Sequence, residues 1–194
     1  MNFNLLSAIS LVWSILGVLW VAGALFAKPV QRAQPGASRL FYLTLAAMGI
    51  AMLGSQWFHR GWMGVRFVPG SEHLLHNVQL TGLALTIAGC LFASAARISL
   101  GGNWSGAATV KTGHELIVKG PYAITRHPIY TGLLVAVLGT ALAVAEWRGL
   151  LGLLTIFLAF AIKMSQEERL MLQTFPQDYP LYQRQVKALI PGLF

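Results

Sequence analysis

Five uncharged stretches divide the chain, at residues 1–27, 40–58, 74–96, 128–145 and 149–162. A helix needs ~20 residues to cross the ~30 Å hydrocarbon core of a bilayer. The first three stretches exceed or approach that length comfortably, and the fourth is just long enough. The fifth is short, but its helical pattern is expected to run on past Lys163 and Glu167 to about Thr174, where Pro176 stops it. The pattern predicts an all-α, polytopic integral membrane protein with five transmembrane helices. The first stretch lacks a basic leader and is longer than the ~7–15 residues of a signal peptide's apolar core, so it is expected to stay as a span.

The segments between these stretches divide the chain in two. Residues 1–98 hold three spans joined by turn-rich links, one with Pro29, Pro35 and Gly36, the other with Gly61, Gly64, Pro69 and Gly70. They carry no chemical motif. Residues 99–194 form the catalytic part by expectation: a long polar connector at 99–126, a helical hairpin and a C-terminal tail. Within the connector, Leu116, Ile117 and Val118 read as a short β-prone stretch, and Gly120-Pro121 as a turn. Pro128 suits the first position of a helix, where its missing N–H costs nothing. Residues 146–149 read as a tight turn that makes spans four and five antiparallel. The tail is expected to be a short amphipathic or extended segment lying on the surface.

Charge adds an orientation. Lys28, Arg32, Arg39, Arg97, Lys111, Lys119, Arg126, Lys163, Arg169, Arg184 and Lys187 fall on one side of the five spans, and only Arg60, Arg66 and Arg148 on the other. Positive-inside bias then predicts an N-out, C-in protein. Charged residues make up 10% of the chain, against about a quarter in soluble domains. The net charge of +8 is explained by orientation and lipid headgroups, so membrane lipids are expected partners and nucleic acid is not. The one cysteine, Cys90, reads as a small core residue. His73 and His76 flank Glu72 without an HExxH pattern; they read as interfacial histidines, and no metal is expected. The spans are almost free of charge, which disfavours a transporter.

The reactive side chains concentrate in the second part. A helix starting at Pro128 leaves the N–H groups of Ile129 and Tyr130 without intrahelical partners, beside Arg126 and His127, and so offers an anion site. Lys163 and Glu167 stand four residues apart and share a face of the fifth span. The antiparallel hairpin returns that face to Arg126, His127 and Tyr130. Glu168 is expected to point away, to water or a neighbouring helix. Each feature alone also suits a helix cap or an interfacial ion pair. Together they offer cations for a carboxylate, Glu167 for hydroxyls or an ammonium, and Tyr122, Tyr130 and the backbone of residues 116–118 for an aromatic ring. S-adenosyl-L-methionine needs that combination. Gly101-Gly102 lacks the third glycine of a dinucleotide fingerprint.

Order and spacing of several motifs sharpen this reading. LGGNWS at 100–105, HELI at 114–117, GPY at 120–122, RHPIYTG at 126–132, EERL at 167–170, and the spaced Phe175, Tyr179, Tyr182 and Pro191 resemble the isoprenylcysteine carboxyl methyltransferase family of integral-membrane enzymes. The length and five-span layout resemble a compact prokaryotic-type member. The resemblance covers about half of the chain. It implies S-adenosyl-L-methionine as cofactor, with S-adenosyl-L-homocysteine as product. It implies a cofactor pocket drawn from His114, Glu115, Leu116, Ile117, Val118, Tyr122, His127, Pro128, Ile129, Tyr130 and Glu167. Lys163 matches a basic residue that the family places near the substrate carboxylate; animal members carry Arg there, and Lys lacks its bidentate grip. Arg126 and Lys163 are the catalytic candidates, holding the carboxylate of a lipid-linked acceptor that enters from the bilayer. The active site is expected on the cytoplasmic face. An amine or phospholipid acceptor is the alternative, and it would need a base such as His127, Tyr130 or Glu168.

Overall fold

The computed structural model describes residues 5–33, 36–104, 109–111, 113 and 115–192. Each uncharged stretch gives one helix: α1 (Leu5–Ala24), α2 (Gly36–Gly54), α3 (Glu72–Leu100), α4 (Pro128–Val144) and α5 (Trp147–Thr174). By length and composition, α1, α3 and α5 are long and apolar enough to cross a membrane, and the apolar helices in α2 and α4 are shorter. Large apolar side chains such as Val21, Leu40, Leu91 and Leu154 lie exposed on their outer faces. An apolar exterior of this extent suits lipid rather than water.

Local signals set the helix ends. The Ser71 side chain accepts a hydrogen bond from the Leu74 N–H and caps α3. At the other end Gly101 takes φ +54°, and its N–H bonds back to the carbonyls of Arg97 and Ile98. Pro128 opens α4, and Ala145, in the left-handed region at φ 57°, closes it. Trp147 then begins α5, so α4 and α5 form the expected antiparallel hairpin.

Close approach of backbones holds the helices together. Gly82, Gly89 and Ala93 of α3 face Gly132, Ala136, Gly139 and Ala143 of α4. A Cβ on Gly82 would sit 2.5 Å from the Gly139 carbonyl, so only glycine lets the two helices meet. Between them the buried Thr86 hydroxyl lies 3.2 Å from the Ala136 carbonyl, and the Trp13 indole of α1 donates to the Thr140 hydroxyl at 3.0 Å. A second close approach pairs Gly49 of α2 with Gly152 and Ile156 of α5.

Beside the helices, β1 (Val30–Ala33) and β2 (Thr109–Lys111) form a small antiparallel ribbon that ties the α1–α2 link to the connector. The β-prone stretch at residues 116–118 has no regular secondary structure; the strand lies earlier in the connector. The tail takes the amphipathic form of the two that were expected. It forms α6 (Asp178–Gln185), which buries Tyr179 and Tyr182 and leaves Asp178, Leu181 and Arg184 exposed.

The two ends of α5 carry different charge clusters. At its start the Glu146 carboxylate accepts from Arg148 at 2.5 Å and meets His59 Nδ1 at 3.0 Å. Arg148 also donates to the carbonyls of Met52, Leu53 and Ser55 at the end of α2. Burial alone would raise the Glu146 carboxyl, but hydrogen bonds from Arg148 and His59 outweigh it and hold the group below its ordinary value. Arg148 is thus a buried cap for α2. Arg148 therefore has a structural role. Twenty residues along α5, about 30 Å at 1.5 Å per residue, stands the other cluster.

Candidate active site

The start of α4, the end of α5, the connector and α6 converge on a cavity of about 410 Å³. Small-ligand sites occupy about 300–1,000 Å³. Hydrogen bonds to backbone carbonyls fix the start of α4 beside it. The Arg126 and His127 N–H groups donate to the carbonyls of Lys187 and Ala188 at 2.8 and 3.0 Å, and the Thr131 hydroxyl donates to the Leu189 carbonyl at 2.9 Å. The end of the chain therefore straps the first turn of α4.

Two carboxylates from adjacent positions on α5 serve different partners. Glu167 accepts from the Tyr130 hydroxyl at 2.7 Å, stands 3.8 Å from His127 Nδ1 and 3.8 Å from Lys163 Nζ. The Lys163 ammonium lies over the Tyr130 ring at 5.3 Å from its centroid. Tyr130 in turn stacks on His127, with ring centroids 5.6 Å apart, and packs on Phe160.

Glu168 faces a neighbouring helix, α6, one of its two expected surroundings, and also meets Arg126 and His127, which was not expected. One of its oxygens accepts from Arg126 Nε at 2.9 Å and Nη2 at 2.7 Å and lies 3.2 Å from His127 Nε2. The other accepts from the Gln183 amide at 3.1 Å. Arg126 completes its bonding with the carbonyls of Val186 and Gln183. The guanidinium thus lines the cavity with its charge already matched and its donors directed at the chain's own groups. The contacts of Glu168 with Arg126 and His127 were missed because a position 100° round the helix from Glu167 leaves the shared face; α6 and the strap supply a second face that periodicity in α5 does not show.

Burial favours the neutral form of the phenols nearby. Burial pushes Tyr182 up to about 12, and its hydroxyl donates to the Tyr122 carbonyl at 2.6 Å. Tyr122 is raised by burial first and by the Glu167 charge second, and Tyr179 is raised mainly by burial.

Of the residues expected at the site, Glu115, Leu116, Ile117, Tyr122, Arg126, His127, Ile129, Tyr130, Lys163 and Glu167 all line this cavity. Pro128 does not; it is fully buried in the first turn of α4. Val118 is exposed and lies off the cavity. His114 lies outside the described residues. The wall also includes Trp20, Asn103, Leu133, Phe160 and Met171. Of these, Asn103 and its neighbour Trp104 sat in the LGGNWS motif. Trp20 had no signal: it is one aromatic in an uncharged run.

Residues 78–178 match the family model of the phospholipid methyltransferases. Over 116 residues the chain is 28% identical to protein-S-isoprenylcysteine O-methyltransferase of Schizosaccharomyces pombe, covering 58% of this chain and 49% of that protein. Over 123 residues it is 28% identical to protein-S-isoprenylcysteine O-methyltransferase B of Arabidopsis thaliana, covering 57% of each. The chain spans about half the length of the curated relatives it matches. These relatives bear out the resemblance drawn from the motifs. The family match runs from α3 to the first residue of α6, over more than half of the chain, and contains His127, Tyr130, Lys163 and Glu167; the protein belongs to the phospholipid methyltransferase family.

Proposed function

We propose that this protein is a membrane enzyme that transfers the methyl group of S-adenosyl-L-methionine to the carboxylate of a lipid-linked, isoprenylcysteine-like acceptor. The reading rests chiefly on one observation: Lys163, Glu167, Tyr130 and His127 form a connected cluster on the wall of a single cavity. The names of the two relatives support the acceptor.

The donor set fits the proposed cofactor. Glu115 and Glu167 offer carboxylates for an ammonium or ribose hydroxyls, and Tyr122, Tyr130 and Trp104 offer aromatic surface for a base. When bound, S-adenosyl-L-methionine supplies a methyl group activated by its sulfonium charge. The chain's own part is to bind, align and keep water out. Lys163 attracts the acceptor carboxylate, while Glu167 and the Tyr130 face keep its charge from gripping that anion too firmly. An anion held better than the transition state would react more slowly. The apolar wall of Trp20, Leu133 and Phe160 excludes water and strengthens these interactions. A carboxylate is ionised at neutral pH, so no residue has to remove a proton from it. Arg126 and Glu168 act on this reading as a brace for the first turn of α4, and alignment is the main source of rate. We place the site on the cytoplasmic face of an N-out, C-in chain of five spans, with the acceptor's lipid tail arriving from the bilayer.

The family description raises a second acceptor, a phospholipid amine. Such an acceptor must lose a proton. Glu168 and His127 contact each other and other partners, and Tyr130 donates to Glu167. The site therefore favours an acceptor that needs no base. The test is turnover of purified protein with methyl-labelled cofactor and either N-acetyl-S-farnesylcysteine or phosphatidylethanolamine. Label in the prenylcysteine, released as methanol by alkali, is expected. Label in the phospholipid alone would overturn the carboxylate reading.

A further inference from the structure

The family match begins at residue 78, yet the ammonium of Lys163 has a second aromatic neighbour that lies before it. Tyr42, on α2, is 4% exposed, and Lys163 Nζ stands 5.8 Å from its ring centroid. With the Tyr130 ring at 5.3 Å, two aromatic faces and the Glu167 carboxylate at 3.8 Å surround the cation. Tyr42 is not part of the cavity wall. It meets the site at the Lys163 ammonium, which lines the cavity. Its place is fixed by the close approach of α2 and α5 at Gly49 and Gly152, two turns further along α2.

A lysine has a long flexible stem and a compact charge, so a single ion pair leaves its head poorly placed. Aromatic faces carry negative charge above the ring plane and attract the ammonium, most strongly where water is excluded. They do so without supplying a formal negative charge that would repel an incoming carboxylate. A ring therefore helps hold the cation in place without adding a second carboxylate beside the acceptor.

We infer that Tyr42 is a positioning residue for Lys163, and that α2 thereby takes part in recognising the acceptor's carboxylate. The inference rests on the proposal that Lys163 meets that carboxylate, and the test separates the two. Initial rates are measured with S-adenosyl-L-methionine and N-acetyl-S-farnesylcysteine for Lys163→Met, Tyr42→Leu, their double variant and Tyr42→Phe. Lys163→Met is expected to raise the acceptor KM and leave the cofactor KM within about twofold. Tyr42→Leu is expected to raise the acceptor KM about tenfold, between the few-fold of an exposed cation–ring contact and the about 30-fold of a desolvated one, with Tyr42→Phe close to wild type. The double variant should lose no more than Lys163→Met alone. Because Tyr42→Leu can also loosen the α2–α5 packing, phenylalanines carrying one to five ring fluorines at position 42 provide a second series. They keep the ring's shape while removing negative charge from its face, and the acceptor KM should rise with each fluorine. An unchanged acceptor KM in Lys163→Met would overturn the role of Lys163 itself. A raised KM in Lys163→Met with no trend across the fluorinated series would overturn the role of Tyr42 alone.

Discussion

Replacing Glu168 by alanine is the most informative test of how the site is held. The carboxylate is 22% exposed and the Arg126 guanidinium 11% exposed. Loss of the carboxylate strips Arg126 Nε and Nη2, His127 Nε2 and the Gln183 amide of one shared partner. Removing one member of a buried ion pair costs about 3–5 kcal/mol, whereas exposed pairs contribute about 0–1 kcal/mol. With a fifth of the carboxylate open to solvent, the lower end applies, and Glu168→Ala is expected to lose about 3 kcal/mol. The assay is equilibrium unfolding in mixed detergent micelles. Arg126→Met combined with Glu168→Leu should cost less than the two single changes together, with a coupling of about 1–3 kcal/mol, because no buried charge is then left alone. Methyl transfer should fall in Glu168→Ala as the first turn of α4 relaxes. A Glu168→Ala protein within about 0.5 kcal/mol of wild type would refute the reasoning, since it would mean that the pair behaves like an exposed surface bridge.

Three further outcomes follow from other contacts. Glu167→Ala should keep the fold but lower kcat/KM by about 10- to 100-fold, the range of a hydrogen bond to a charged group, seen as a raised KM for the cofactor. Gly82→Val should destabilise the helix pair by at least about 1–3 kcal/mol, because the new side chain meets the Gly139 carbonyl; unfolding of purified protein measures it. Glu146 has a folded-state value below its ordinary 4.5. Its stabilising contribution is therefore complete above about pH 4.5 and is lost as pH falls through the lower folded value. Glu146→Gln should flatten that acid limb of the stability profile.

The hairpin was legible because two uncharged runs are separated by only three residues, and because Pro128 marks where α4 begins; the turn itself is tighter than expected, Ala145 and Glu146 alone joining the helices. Its return path was enough to join Lys163 and Glu167 to His127 and Tyr130. Contacts made by chain without periodicity were not legible. The strap at residues 186–189 bonds through backbone carbonyls, which any sequence presents, so neither the anchoring of Arg126 nor the inward turn of Glu168 leaves a pattern. The Leu116, Ile117 and Val118 stretch is β-prone, but propensity needs a partner strand, and β1 pairs with residues 109–111 instead. Tyr179 and Tyr182 are spaced for one helical face, yet an eight-residue helix gives too short a run to tell a buried face from a wet one.

Photolabelling with 8-azido-S-adenosylmethionine, followed by mapping of the modified peptides, tests the central claim most directly. The account predicts label on residues 115–130 and 160–182, protected by S-adenosyl-L-homocysteine and lost in Glu167→Ala. Protectable label confined to the opposite rim, around His59 and Arg148, would contradict it.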